Sequence, residues 1–438
     1  MSDATPVRLR RGKKPINRIT PSMEIYKWSA AITAAALLSS TVITQADEAK
    51  TTPLLTSLSA TTISGYVDTS AIWNPGTGNA NPAPFAFNVP SRRDGFNLDS
   101  VAVNIEKPLA SEGWSSGYAV DMLFGPDAAG VTGEGTVGSG VSEHIRQAYV
   151  AVGVPVGNGL SFKMGRWDNL LGYESTDAYK DDNFTRSYAW SVEPTEHTGL
   201  LGEYKFCDAA DLQAGVANTV TTGPINSRSP RAESKKAIVS LLTLTAPTNW
   251  GSISGSTLAV GVDYGPGAAT HDRTHVYVGA TINLPITNLT VGAAWDSMNH
   301  CDIAGVDTGY MYTIAGYATY KFTDKCSLHL RGEYGKGAGL GLLGGTTAIT
   351  SGGSFENIPL TKVIAVTGTL QYDIWPNVIS RLEVRWDHAA DGGHPFGGTL
   401  SPAAAEAAAE LVDPADHAGP TGDKKNDVMV AANLIFKF

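Results

Sequence analysis

Two stretches set charged side chains at every second position. In "RLEVRWD", residues 381–387, Arg381, Glu383, Arg385 and Asp387 alternate with Leu382, Val384 and Trp386. In "LHLRGEY", residues 328–334, His329, Arg331 and Glu333 alternate with Leu328, Leu330, Gly332 and Tyr334. A period of two sends successive side chains to opposite faces of a strand. Each stretch therefore presents one charged face and one apolar face. Four charges on one strand face are intolerable in lipid or in a dry core, but they suit a wet lumen. There they could impose a transverse field, or simply stiffen the wall as a salt-bridge network. Asp68, Asn104, Asp121 and Lys163 join the same wall by alternation. The expected pore-lining set is thus Arg331, Glu333, Arg381, Glu383, Arg385, Asp387, Asp121 and Lys163.

The long connection 168–196 is the second place for chemistry. It holds Asp168, Glu174, Asp177, Asp181, Asp182, Glu193 and Glu196 against only Lys180 and Arg186. Leu170, Leu171, Tyr173 and Trp190 give it more apolar surface than an exposed loop wants. A loop of this length is usually functional. Folded into a lumen, it would form a constriction carrying Asp168, Glu174, Asp177, Asp181, Asp182 and Arg186. Left outside, it would pack on the rim.

Other groupings carry less. Asp387, His388, Asp391 and His394 match no defined metal spacing, nor do Asp296, His300, Cys301 and Asp302. "GKGAGLGLLGG", residues 335–345, lacks the Lys-Ser/Thr ending of a phosphate loop and reads as a plain loop. There is no nucleophile elbow, so no enzyme, catalytic residue, metal or cofactor is expected. The odd cysteine number, Cys207, Cys301 and Cys326, leaves at least one thiol free. A Cys207–Cys326 disulfide is the minority reading, isolated thiols in turns the main one. "SPAAAEAAAELVDP", residues 401–414, predicts a short helix in the last long loop, with Pro402 at its start and Pro414 beyond its end.

The elements that position these residues recur along the chain. Alternating segments appear near 61–73, 96–106, 114–124, 144–154, 160–167, 197–206, 212–220, 236–246, 254–264, 273–284, 289–297, 310–322, 326–335, 361–373, 378–388 and 427–438, about sixteen in all. Short turns such as 155–158, 285–288 and 375–377 alternate with long Gly-, Asp- and Pro-rich connections such as 125–143, 336–360 and 389–426. Short turns at one end and long loops at the other mark a transmembrane antiparallel β-barrel, with the turns periplasmic. Tyr310 and Tyr312 at one end of a segment, and Tyr320 and Phe322 at the other, read as interfacial girdles. The terminal "VAANLIFKF" keeps apolar residues at every second position to Phe438, as a strand closing the barrel would. A soluble β protein explains neither that end nor the loop asymmetry.

Composition agrees. Charged residues are 17%, below the roughly 25% of soluble domains. An N-terminal basic region, Arg8 to Arg18, precedes an apolar stretch 28–43 and the small-residue site Thr44-Gln45-Ala46. That reads as a secretory signal over 1–46, with Met23 as an alternative start. A short periplasmic segment 47–60 and a barrel 61–438 would follow. Removing 1–46 takes seven of the 32 basic and two of the 42 acidic residues, leaving a formal charge of −15. That balance disfavours nucleic acid, which needs basic residues to neutralise phosphates.

The chain resembles the β-barrel porin family described as OmpL-like. The resemblance rests on Ser64-Gly65-Tyr66-Val67-Asp68, Arg146-Gln147-Ala148-Tyr149-Val150, Gly165-Arg166-Trp167, Gly172-Tyr173-Glu174, Arg186-Ser187, His197-Thr198-Gly199, "RLEVRWD" and Phe438. It implies an outer-membrane barrel with a diffusion role and supplies no defined substrate. The reading is a porin in the outer membrane of a diderm bacterium, passing ions and small hydrophilic solutes. Its partners are membrane lipid and those solutes, with a homotrimer as the common assembly at this strand number. A mild cation preference follows from net charge, opposed by the wall arginines. A sugar-specific channel and a plugged-barrel enzyme or adhesin remain as alternatives.

Overall fold

The computed structural model describes residues 60–76, 81–132, 143–221, 223, 225–228, 235–267, 272–300, 302–303, 306–307, 309–337, 348–349, 355–356, 362–398 and 422–438. Sixteen strands form one closed antiparallel barrel, each bonded to its chain neighbours and the last to the first. They are β1 (Thr62–Trp73), β2 (Gly95–Lys107), β3 (Ser115–Phe124), β4 (Glu143–Val154), β5 (Leu160–Asp168), β6 (Glu196–Cys207), β7 (Ala210–Ala217) and β8 (Ala237–Thr245). The second half comprises β9 (Thr257–Pro266), β10 (Asp272–Asn283), β11 (Leu289–Met298), β12 (Met311–Thr323), β13 (Cys326–Lys336), β14 (Lys362–Trp375), β15 (Val378–Ala389) and β16 (Asn426–Lys437). Their bounds lie within a few residues of the expected segments. Connections at the end holding both barrel termini are mostly short, down to the two-residue links 208–209, 324–325 and 376–377. Those at the other end are longer, apart from 267–271.

Alternation sorts every strand into two faces. On β15 Leu382 and Val384 are 53% and 51% exposed, while Glu383 and Arg385, alternating with them, are 0% exposed. The exposed set, including Leu330, Val366, Leu370 and Leu434, is apolar and encircles the barrel. Tyr310, Tyr320 and Phe322 are exposed on the same outward side. The buried set faces inward and is rich in charge, the reverse of a soluble protein and the arrangement lipid imposes.

The seam joins β1 to β16, with Tyr66 opposite Lys437 and Trp73 opposite Val430. Phe438 extends it by one residue. Its backbone N–H donates to the Gly65 carbonyl at 3.0 Å, and the Gly65 N–H donates to its carbonyl at 2.9 Å. Gly65 is glycine for want of room: a Cβ there would collide with the Ala102 carbonyl and the Phe438 ring. The terminal aromatic is therefore part of the closure.

Some expectations fall differently. The connection after β3 contains a short helix, α1 (Pro126–Thr132), where the sequence suggests only a loop. Pro126 starts it and Asp127 occupies its first turn, both favourable at a helix N-terminus. Cys207 and Cys326 are free thiols, at the turn ends of strands 6 and 13 in a ring of sixteen, so the minority disulfide reading is corrected. Cys301, the signal region and the segment 401–414 lie outside the described residues.

Because the seam needs the Gly65 position empty, Gly65→Val should prevent closure. The folded, heat-modifiable band on a gel should be lost, whereas the same change at Gly332, which faces open space, should leave it.

Candidate functional site

The buried faces of β13 and β15 carry alternating signs, with the threonines Thr367 and Thr369 of β14 between them. Arg331 and Glu333 sit on β13, with Arg381, Glu383, Arg385 and Asp387 on β15. All six are buried, none more than 5% exposed. They face the interior and lie buried under the loop 169–195. The loop runs inside the barrel, and its backbone supplies the partners that the wall charges need.

Glu383 accepts hydrogen bonds from the N–H groups of Phe184 and Thr185 at 2.7 and 3.0 Å, and from the Thr369 hydroxyl at 2.6 Å. Glu333 accepts from the Tyr188 N–H at 2.7 Å, and Asp387 accepts from the Tyr188 hydroxyl at 2.8 Å. Arg331 donates to Glu333 at 2.7 Å, to Glu174 at 2.9 Å and to the Thr185 carbonyl at 2.6 Å. Arg385 donates to Asp387 at 3.0 Å and to the Arg186 carbonyl at 2.6 Å. Arg381 holds the carbonyls of Ala178, at 3.1 Å, and Asp181. A buried charge is tolerable only when paired and hydrogen-bonded. Here the loop completes that requirement.

The loop's own charges are likewise engaged. Asp177 meets Arg146 of β4 at 2.5 Å; Asp168, expected in the loop, is instead the last residue of β5 and meets the same arginine at 3.2 Å, and Arg146 also reaches Asp121 of β3 at 3.3 Å. Asp181 pairs with Arg186 within the loop. The Arg186 guanidinium lies over the rings of Trp190 and Phe87, 5.0 and 5.8 Å from their centroids. Asp182 accepts from the Thr319 hydroxyl at 2.6 Å and lies 3.3 Å from His329 Nδ1. Leu170 and Leu171 pack on inward apolar residues of β6 to β12, and Tyr173 stacks on Tyr317 at 4.2 Å. Lys163 stands apart from this network, half-buried, its ammonium 5.2 Å from the Tyr149 ring centroid.

Sequence reasoning missed a second inward segment. Between β1 and β2, residues Ala83 and Phe85 join a buried cluster with Tyr188, Val192 and Phe396. Phe85 lies under the Arg385 guanidinium, 3.7 Å away. Asp427 ties this segment to β16 through the Ala83 N–H at 2.6 Å and Asn74 at 2.9 Å. The alternating aromatics of "FAFNV" were the available signal. His144, bonded to Glu196 at 3.0 Å, and Arg166, to the same carboxylate at 3.2 Å, were also missed.

Among the described residues, clefts lie beside the loop on two sides. The larger, about 280 Å³, lies between Tyr173, Glu174 and Lys180 to Asn183 on the loop side and Thr257, Ala259, Tyr277, Gly279 and Thr281 on β9 and β10. Small wall residues leave this space. Lys180 and Asp182 border it with side chains about half exposed, 53% each. The smaller cleft, about 110 Å³, lies between Asp168, Glu193 and Thr195.

A closed sixteen-strand barrel with an apolar outer belt, a charged interior and an inward loop defines an outer-membrane channel. The sequence matches the family described as "Putative beta-barrel porin-2, OmpL-like" over residues 60–412, and the chain belongs to that family. The protein is an outer-membrane porin, a channel for passive diffusion. Family and fold point to a channel rather than an enzyme. No curated protein matches the chain. Among solved structures, Pseudomonas putida OprB is similar at TM-score 0.56 and 10% identity, covering 88% of this chain and 96% of that one. Salmonella typhi OmpF in complex with daunomycin is similar at 0.52 and 11%, covering 86% and 97%. Acinetobacter baumannii DcaP is similar at 0.50 and 13%, covering 86% and 97%. At these identities the likeness is one of fold.

Two outcomes follow from the loop's anchoring. Arg331→Ala strands Glu174 and Glu333 and should cost about 3–5 kcal/mol, read as a lower urea midpoint in vesicles. Burial pushes the Asp177 carboxyl up, but Arg146 and Lys180 outweigh it and hold it below the usual aspartate range. Burial likewise opposes, and the His329 hydrogen bond and charge outweigh it, at Asp182, which is also lowered. Depressed carboxylates stabilise fully above the unfolded value of about 3.9 and lose that contribution as pH falls through the folded value. Thermal stability should therefore hold from pH 6 to 4 and drop only in stronger acid, with the drop reduced in an Asp177→Asn, Asp182→Asn double variant.

Proposed function

We propose that ions and small hydrophilic solutes pass the waist of the barrel through the space between the loop residues 180–183 and the β9–β10 wall. The observation carrying this is the cavity of about 280 Å³ bordered by half-exposed Lys180 and Asp182, beside a wall buried elsewhere beneath the loop. Selectivity then belongs to the charges left facing water. The wall arginines are neutralised by their partners, so they do not offset the acids of the lower interior. Glu203 and Asp211 stand there on inward positions of β6 and β7 with Lys163 and Lys205, Lys205 in register with Asp211, while the chain after residue 46 carries a formal charge of −15. A mild cation preference follows.

A second reading, a channel preferring sugars, is favoured by one feature: Tyr173, Tyr277 and Tyr317 all border the same cavity. Export through a cleaved 1–46 signal and assembly as a homotrimer belong to the same proposal. The mass of the mature protein, measured in denaturant and again in mild detergent, tests both.

The deciding experiment is single-channel recording of the refolded mature protein in a planar bilayer under a salt gradient. Stable steps with a cation-selective reversal potential are expected. Asp182→Asn should lower the cation preference and Lys180→Gln should raise it. Unchanged potentials in both variants would place selectivity elsewhere, and addition of a disaccharide that closes the steps would favour the sugar channel. Silence from folded protein would move the reading to a plugged barrel.

A further inference from the structure

The outer ends of β13 and β14 bring two lysines together. Lys336 pairs in register with Lys362 across the ladder. Both belong to the outward set. Lys336 follows Leu330, Gly332 and Tyr334 in the alternation, and Lys362 precedes Ile364 and Val366. The inward residues next to them, Gly335 and Val363, are buried, whereas Lys336 is exposed. Side chains directly opposite in an antiparallel pair stand roughly 5 Å apart at Cβ, and like charges there repel. Among the described residues no carboxylate forms an ion pair with either lysine. Other basic residues near the rim of long loops do have acids: Lys235 pairs with Asp272, and Lys424 with Asp423 at 3.1 Å.

The surroundings fix the depth of the pair. Tyr312 is in register with Lys336. Its ring lies 5.9 Å from that of Tyr310 and 6.1 Å from that of Tyr334. Outward tyrosines clustered at one end of the strands mark the level where acyl chains give way to headgroups. This end carries the long loops, which face outward from the cell. Two lysines with no ion pair among the described residues thus stand in register at the outer headgroup level.

We propose that Lys336 and Lys362 form a two-pronged site for a phosphate group on an outer-leaflet lipid, with Tyr310, Tyr312 and Tyr334 against the adjoining apolar boundary. A phosphate placed between the ammonium groups accepts hydrogen bonds from both. It also removes the repulsion that the register otherwise imposes. The neighbouring tyrosines suit a molecule that is charged at one end and apolar at the other, which selects a lipid over a free ion.

The test is native mass spectrometry of the full-length folded protein in maltoside micelles. It is titrated with bisphosphorylated lipid A, with its dephosphorylated form, and with the former in excess inorganic phosphate. Retained adducts of the phosphorylated lipid are expected, and the dephosphorylated lipid should not be retained. Each of Lys336→Gln and Lys362→Gln should weaken retention about fivefold, while the double Arg variant keeps it. Heat-modifiable migration confirms that each variant is folded. Equal retention of both lipids, unchanged retention in the Gln variants, or full displacement by inorganic phosphate would overturn the proposal. So would Gln variants that change oligomeric state while still holding lipid, because the face would then belong to a second copy of the chain.

Discussion

Lipid offers no hydrogen bonds, so every backbone N–H and C=O that crosses it must find a partner within the protein. For strands the solution is a ladder with no free edge. The β1–β16 seam supplies it, and much else follows from that seam. It fixes which side chains point outward, because the register of one strand sets the face of every residue on it. It also removes the two edges that would otherwise pair with other chains. The composition of the strands, apolar at one parity and charged at the other, is the side-chain counterpart of the same demand.

Closure creates a second problem inside. The inward face of β13 and β15 carries six wall charges of both signs, Arg331, Glu333, Arg381, Glu383, Arg385 and Asp387. A peptide segment is a natural ligand for such a surface, since its backbone offers donors and acceptors in turn. The carboxylates take N–H groups of Phe184, Thr185 and Tyr188, and the guanidiniums take carbonyls of Ala178, Asp181, Thr185 and Arg186. The alternating wall thus reads the main chain of the loop more than its side chains. Breaking one member leaves its partner charged and buried, which is why such networks resist piecemeal change. The loop is held on one side and the space for solute is displaced to the other, against the small residues of β9 and β10.

Much of this was legible in the sequence. Period-two alternation is a local property, so strand number, order and facing could be read from it, and the terminal Phe pointed to closure. The face of "RLEVRWD" was equally plain. What it meets was not legible, because the partners of Arg331 lie some 145 residues away on a loop with no regular period. The same limit hid the role of Phe85 and Phe87, where two aromatics in a polar loop signal burial without saying against what. The sequence also overstated free charge: the acids of 168–196 form a surplus on paper, but Arg146, Arg186, Arg331 and His329 absorb most of it.

The seam also has a consequence in time. Thr69 and Leu434 meet across it although 365 positions separate them. Contacts so distant along a chain form slowly, because the entropy of closing the intervening loop must be met before they contribute. The first strand therefore cannot find its second neighbour until the last strand has been delivered. Through all of that interval β1 presents an unsatisfied edge, and the barrel exists only as an open, growing sheet. Insertion of such a chain is a problem of protecting one edge until the final residues arrive, and Phe438 is the residue whose arrival ends it.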